Sequence, residues 1–189
     1  QGRELDGVMN YPAREAILNF IKGEADAAAL AGDLLRLYRN YPEPARRCMM
    51  NILGTHDTPR TINVLGAAPD AFALSKAEKA VRALTEEEYR RGRAGLKLAS
   101  ALQYMLPGSP CLYYGDEAGL TGFEDPLNRR GFPWGHEDGE LLDWYQALGA
   151  MRAAHGNVFQ EGGLEIEPLG RDAVAVTRKA GYKTVTAVV

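Results

Sequence analysis

The chain has 189 residues, 46% of them apolar, and 22 basic against 25 acidic side chains leave a net charge of −3. That composition is globular, with length enough for one or two domains and no low-complexity tract. The signs are interspersed, so no Lys/Arg cluster can follow a phosphate backbone, and no hydrophobic stretch reaches membrane-spanning length; a nucleic-acid or membrane partner is not expected.

In chain order, residues 5–10 read as a short buried strand closed by Tyr11-Pro12, where Pro12 can open a helix because the first turn does not need its N–H. Ala16, Ile17, Phe20 and Ile21 keep helical spacing up to the break at Gly23. A second helix carries Leu30, Leu34, Leu35 and Tyr38, and Pro42 and Pro44 are expected to terminate it. Residues 49–53 form the next strand. A long connection then leads to Thr85-Glu-Glu-Glu88, a capping-box spacing that starts a helix with Leu96, Ala99, Leu102 and Leu106 near one face. Pro107-Gly108 stops that helix, and residues 110–114 are the third strand.

The loop over residues 115–139 is long and rich in Gly, Pro and Asp, which is uncommon in a compact domain unless the loop is functional. Residues 141–152 make another amphipathic helix. After Gly162-Gly163 the pattern turns β-rich, with a hairpin turn expected at Ala180-Gly181. Cys48 and Cys111 form no CxxC motif, and Cys111, inside an apolar run, is expected to be a free buried thiol. No His/Cys/Asp cluster has metal-ligand spacing and no glycine-rich phosphate loop occurs, so neither a metal nor a cofactor is expected.

Three phrases carry chemistry. Asn51-Ile-Leu-Gly-Thr-His-Asp-Thr-Pro-Arg60 is an apolar run that opens into a His-Asp pair. Gly108-Ser-Pro-Cys-Leu-Tyr-Tyr-Gly-Asp-Glu117 opens the same way into two carboxylates. Asp125-Pro-Leu-Asn-Arg-Arg130 follows. Together they resemble the α-amylase family of glycoside hydrolases, and most of all its neopullulanase, cyclomaltodextrinase and maltogenic amylase members. The resemblance runs from Asp6 to about Trp134.

It implies an α/β fold: the last three strand-helix units, strands six to eight, of a (β/α)8 barrel, followed by the beginning of an antiparallel β-sandwich. Residues 1–156 would be the end of the catalytic barrel and 157–189 the start of the β domain. A whole barrel needs roughly 250 residues. The family's nucleophile and general acid lie on its fourth and fifth strands, so they are expected before Gln1, outside this segment. Calcium, bound by many relatives, is not expected within it.

Glycosidic cleavage passes through an oxocarbenium-like state, so a fixed carboxylate is worth more there than in the ground state. The resemblance assigns Asp57 as the transition-state stabiliser and His56 as a ligand of the sugar hydroxyls. An isolated His-Asp pair would instead suggest an Asx-type turn with a surface histidine. Arg60 either orients Asp57 through an ion pair or clamps the loop. Asp116 and Glu117 diverge on an extended backbone, so they are read as shaping the pocket floor and accepting backbone N–H groups rather than as an acid-base pair.

Asp125 and Arg129 match the family's Asp-Pro-x-x-Arg loop, which contacts a sugar on the non-reducing side; a surface salt bridge is the plainer alternative. Phe132, Trp134 and Tyr113-Tyr114 are candidate platforms for apolar sugar faces, and Asn10-Tyr11 a candidate rim. The expected partner is an α-glucan, maltooligosaccharide or cyclodextrin. A transglycosidase would share every motif, and a non-catalytic carbohydrate-binding subunit is the alternative of another class. The resemblance favours a cytoplasmic location, and the open strand edges of a barrel segment favour self-association.

Overall fold

A computed structural model of the chain describes residues 7–189. The expected first strand falls partly outside them, and of its described part Met9 makes a parallel bridge to Met50. In chain order come α1 (Tyr11–Ile21), α2 (Ala27–Arg39), α3 (Glu43–Arg47), β1 (Met50–Ile52), α4 (Thr61–Gly66), α5 (Lys76–Val81) and α6 (Glu86–Met105). Then follow β2 (Ser109–Cys111), α7 (Gly139–Ala154), α8 (Gly156–Glu161), β3 (Gly163–Pro168), β4 (Val174–Ala180) and β5 (Lys183–Val188). β1 and β2 pair in parallel, and β3, β4 and β5 form an antiparallel sheet in that order. The described residues divide into two compact units.

Among the described residues the first unit joins 7–52, Leu98–Cys111 and Leu148–Val189. Asn10 caps α1 by accepting from Ala13 N at 3.3 Å, and Asp26 caps α2 by accepting from Ala29 N at 2.8 Å. Each cap satisfies an N–H that the helix itself leaves open. Ile17, Leu18, Leu30 and Leu34 are fully buried, each worth about 1.5–3 kcal/mol over exposure.

The same unit buries a polar brace. Asn10 Nδ2 donates to Asn51 Oδ1 at 2.9 Å and to Tyr38 OH at 3.2 Å. Asn51 Nδ2 donates to Pro107 O at 2.9 Å, and Gln103 Nε2 to Asn51 O at 2.7 Å and Cys111 O at 3.2 Å. These bonds tie β1 and β2 to the end of α6, and burial pushes the Tyr38 phenol well above its ordinary range. Gly108, at φ +102°, starts β2 so close to β1 that a Cβ would lie 2.4 Å from Met49 O. The expectation that Asn10 lines a rim is corrected: it is an inward cap and brace, 1% exposed.

Arg178 of β4 is 2% exposed and, among the described residues, donates to backbone carbonyls alone. Its partners are Met105 O, Phe159 O, Gly162 O and Gly163 O, at 2.8 to 3.2 Å. It thus fastens the antiparallel sheet to the ends of α6 and α8. Burial lowers its pKa to about 10, which leaves it charged at neutral pH.

The second unit joins Leu53–Lys97 and Leu112–Ala147. Thr85 and Glu88 form the expected reciprocal cap of α6: Thr85 N donates to Glu88 Oε2 at 2.8 Å, and Glu88 N to Thr85 Oγ1 at 3.2 Å. The long connection before it is not loop throughout, since it holds α4, a 3-10 turn over Pro69–Ala73, and α5. Ser75 and Glu78 cap α5 reciprocally, a Ser-x-x-Glu spacing of the same kind as Thr85-x-x-Glu88.

Other expectations are corrected in detail. Pro42 and Pro44 do not merely end α2, because α3 begins around them, where a proline costs a first turn nothing. The strands are shorter than their apolar runs, and Cys111 is half-buried rather than buried, free like the exposed Cys48.

Candidate functional site

The His-Asp phrase leaves β1 and tightens into a turn. Thr58 N donates to Thr55 O at 3.3 Å, Asp57 N to Thr55 Oγ1 at 3.2 Å, and Thr55 N to Thr58 Oγ1 at 3.1 Å. Two threonines thus close the turn with their own hydroxyls. The His56 and Asp57 side chains, 60% and 62% exposed, stand clear of it with His56 Nε2 3.2 Å from Asp57 Oδ1.

The Asp-Pro-x-x-Arg loop lies against this turn. A cis peptide joins Asp125 to Pro126, and a 3-10 turn spans Leu127–Arg129. Arg129 Nε lies 2.7 Å from Asp125 Oδ1 and donates to His56 O at 3.2 Å, while its Nη2 is 3.9 Å from Asp57 Oδ1. Four residues singled out in the sequence, His56, Asp57, Asp125 and Arg129, therefore form one solvent-facing polar cluster. One cation stands between two carboxylates beside an imidazole. The cluster offers acceptors and donors to a polyhydroxylated ligand, and its Asp57 carboxylate can face a developing positive charge.

Arg60 and Asp116 lie beneath it, 0% and 2% exposed at the side chain. Arg60 Nε donates to Asn128 O at 2.8 Å, and Nη1 donates to Tyr114 O and reaches Asp116 Oδ1 at 3.3 Å. Its guanidinium carbon lies 4.2 Å from the Tyr113 ring centre and 4.7 Å from that of Tyr114. Arg60 thus binds the carbonyls of Asn128 and Tyr114, and its carboxylate partner is Asp116 rather than Asp57. The reason is burial: an interior guanidinium needs an interior counter-charge.

Burial pushes the Asp116 carboxyl up to about 7, against the pull of Arg60. Gly54 makes room for it, since a Cβ there would sit 2.6 Å from Asp116 Oδ2. The donor at Asp116 is the Arg60 side chain rather than the backbone N–H groups expected for the Asp116-Glu117 pair. Glu117 is half-buried, with Oε2 buried and unpartnered. Among the aromatics, Trp134 is 80% exposed and packs on Phe132 at 4.5 Å between ring centres. Tyr114 is half-exposed and donates its hydroxyl to Arg130 O at 2.7 Å.

The sequence reading missed Asn128. It is fully buried and donates from Nδ2 to both His56 O and Thr58 O at 2.8 Å. Its only signal was an uncharged amide between Leu127 and Arg129, which loop composition alone does not distinguish from a solvated turn residue.

Parallel strands alternating with helices, and a polar cluster just past a strand end, are the arrangement of barrel enzymes. The chain belongs to the α-amylase family: residues 1–184 match the model of the α-amylase catalytic domain. It is 36% identical over 189 residues to an amylopullulanase of Thermoanaerobacterium thermosulfurigenes, a match over 94% of this chain and 10% of that protein. It is 34% identical over 155 residues to a cyclomaltodextrinase of Geobacillus thermopakistaniensis strain MAS1, over 80% of this chain and 22% of the relative. The ligand-free cyclic α-maltosyl-(1→6)-maltose hydrolase of Arthrobacter globiformis superimposes with a TM-score of 0.81 at 34% identity, over 100% of this chain and 38% of that one. The chain thus spans a tenth to about two fifths of the length of these relatives. Its fold is that of the α-amylase catalytic domain, and its antiparallel β3–β4–β5 sheet fits a β domain. No helix among the described residues is long and apolar enough to cross a membrane.

Proposed function

We propose that these residues are part of a retaining glycoside hydrolase that cleaves α-glucosidic bonds in α-glucans or cyclodextrins. Residues 1–156 then supply strands six to eight of its barrel and 157–189 open its C-terminal β-sandwich. Asp57 stabilises the oxocarbenium-like transition state, and His56 holds hydroxyls of the sugar at the cleavage point. Asp125 and Arg129 grip the neighbouring sugar on the non-reducing side. The nucleophile and general acid belong to parts of the enzyme outside these 189 residues. Relatives named for cyclomaltodextrin and for cyclic maltosyl-maltose suggest the substrate class.

The observation that carries this reading is the meeting of His56, Asp57, Asp125 and Arg129 in one exposed cluster, from segments some 70 residues apart. A plain surface ion pair would need only the pair four residues apart. It would not need an exposed His-Asp turn held against it.

The test is Asp57→Asn in the full-length enzyme, assayed on cyclomaltodextrin and maltooligosaccharides. The amide keeps the shape and removes the charge, so kcat should fall by about 10² or more with a smaller change in KM. Activity within a few-fold of wild type would remove Asp57 from the reaction.

A further inference from the structure

Asn128 is itself sealed from solvent, yet it brackets the residue on which the cluster turns. Its Nδ2 donates to the carbonyls on either side of Asp57, those of His56 and Thr58, each at 2.8 Å. Its own carbonyl accepts from Arg60 Nε at 2.8 Å, and Arg60 is in turn fixed by Asp116 and the carbonyl of Tyr114. Arg129, the next residue, donates to the same His56 carbonyl at 3.2 Å. One amide therefore joins the Asp57 turn to the loop that carries Arg129.

The amide's other end sharpens the point. Asn128 Oδ1 is buried and has no donor, a condition that costs about 1–3 kcal/mol. Turning the amide over would not help, because Oδ1 would then face two carbonyl oxygens. A leucine here would avoid the cost but would release the Thr58 carbonyl and leave that of His56 to Arg129 alone. Both hydrogens of Nδ2 are engaged, so what the residue provides is two donors at one point.

We infer that Asn128 is a positioning residue for catalysis, acting through Asp57: by holding the carbonyls of His56 and Thr58 it sets where the Asp57 carboxylate stands relative to Arg129. The inference rests on the proposed role of Asp57. It adds that the carboxylate's placement is imposed from the neighbouring loop as well as by its own turn. Misplacing a reacting group by about 1 Å can cost on the order of 10² in rate, so a lost tether should appear in kcat.

The experiment is a double-mutant cycle in the full-length enzyme, with Asn128→Ala and Asp57→Asn apart and together, and kcat and KM measured well below the melting temperature. Asn128→Ala should lower kcat by about tenfold or more, and in the Asp57→Asn background by less than about threefold, because the group it positions is already gone. Asn128→Ser, smaller but still carrying one hydroxyl donor, should fall between Asn128→Ala and wild type, and it carries the cycle if the alanine variant does not fold. Equal losses in both backgrounds, an unchanged kcat with only a lower melting temperature, or failure of both variants to fold would overturn the inference. A silent Asp57→Asn would refute the reading of Asp57 itself and is seen independently of any Asn128 variant.

Discussion

At the scale of single residues, the site separates those that meet solvent from those that hold them. Asp57 and Arg129 are exposed; Arg60, Asp116 and Asn128 are sealed underneath. The division predicts different defects. Arg129→Ala in the full-length enzyme should weaken binding more than chemistry, since its proposed sugar lies away from the broken bond. Losing one charged hydrogen-bonding group costs about 1.5–3 kcal/mol, which should raise KM on long maltooligosaccharides far more than on substrates too short to reach it. An equal loss on both lengths would place Arg129 outside the sugar site. The outer residues were legible in the sequence because they are charged and stand in recognisable phrases. The inner ones were not, because whether a loop arginine meets the carboxylate three residues before it or one 56 residues later is settled only by which of them is buried.

At the scale of elements, the start of α6 is a small electrostatic latch. Glu88 accepts from Thr85 N and Ala68 N, both at 2.8 Å, and its Oε1 is 2.7 Å from Arg82 Nη2. The Arg82 hydrogen bond, with those backbone N–H groups, holds its carboxyl down to about 2, although burial opposes them. A folded-state pKa below the unfolded value contributes stability above about 4.5 that is lost as pH falls toward 2. Glu88→Gln should therefore lower the melting temperature at neutral pH and flatten its fall between those limits. A variant as acid-sensitive as wild type would show that the latch is not at Glu88. Strong caps such as this one, and the apolar spacing of α1, α2, α6 and α7, made the long helices readable. The short α3, α4 and α8 escaped because five or six residues carry too little periodicity to be told from loop.

At the scale of the whole molecule, the 189 residues by themselves should show no glycosidase activity, since the proposed nucleophile and acid are not among them. Measurable turnover of cyclomaltodextrin by the purified chain would contradict that. Apolar side chains that a complete barrel would cover are open in the first unit, where Val8, Met9 and Met50 are 43%, 38% and 41% exposed. With strand edges beside them that no described residue pairs, light scattering on the purified chain should show association that grows with concentration. A monomer that persists on concentration would refute this.

Arg178 leaves a different mark on how such a chain comes apart. Its fastening of the β3–β4–β5 sheet uses carbonyl oxygens only, with no carboxylate partner among the described residues. Carbonyls take up no proton in the range where carboxylates do, and the guanidinium stays charged throughout that range. Acid thus has nothing to neutralise at this rivet, whereas it disarms Glu88. On titration toward pH 2 the amide protons around β4 should outlast those at the start of α6, so the chain would melt in acid in an order written by which of its arginines chose neutral company.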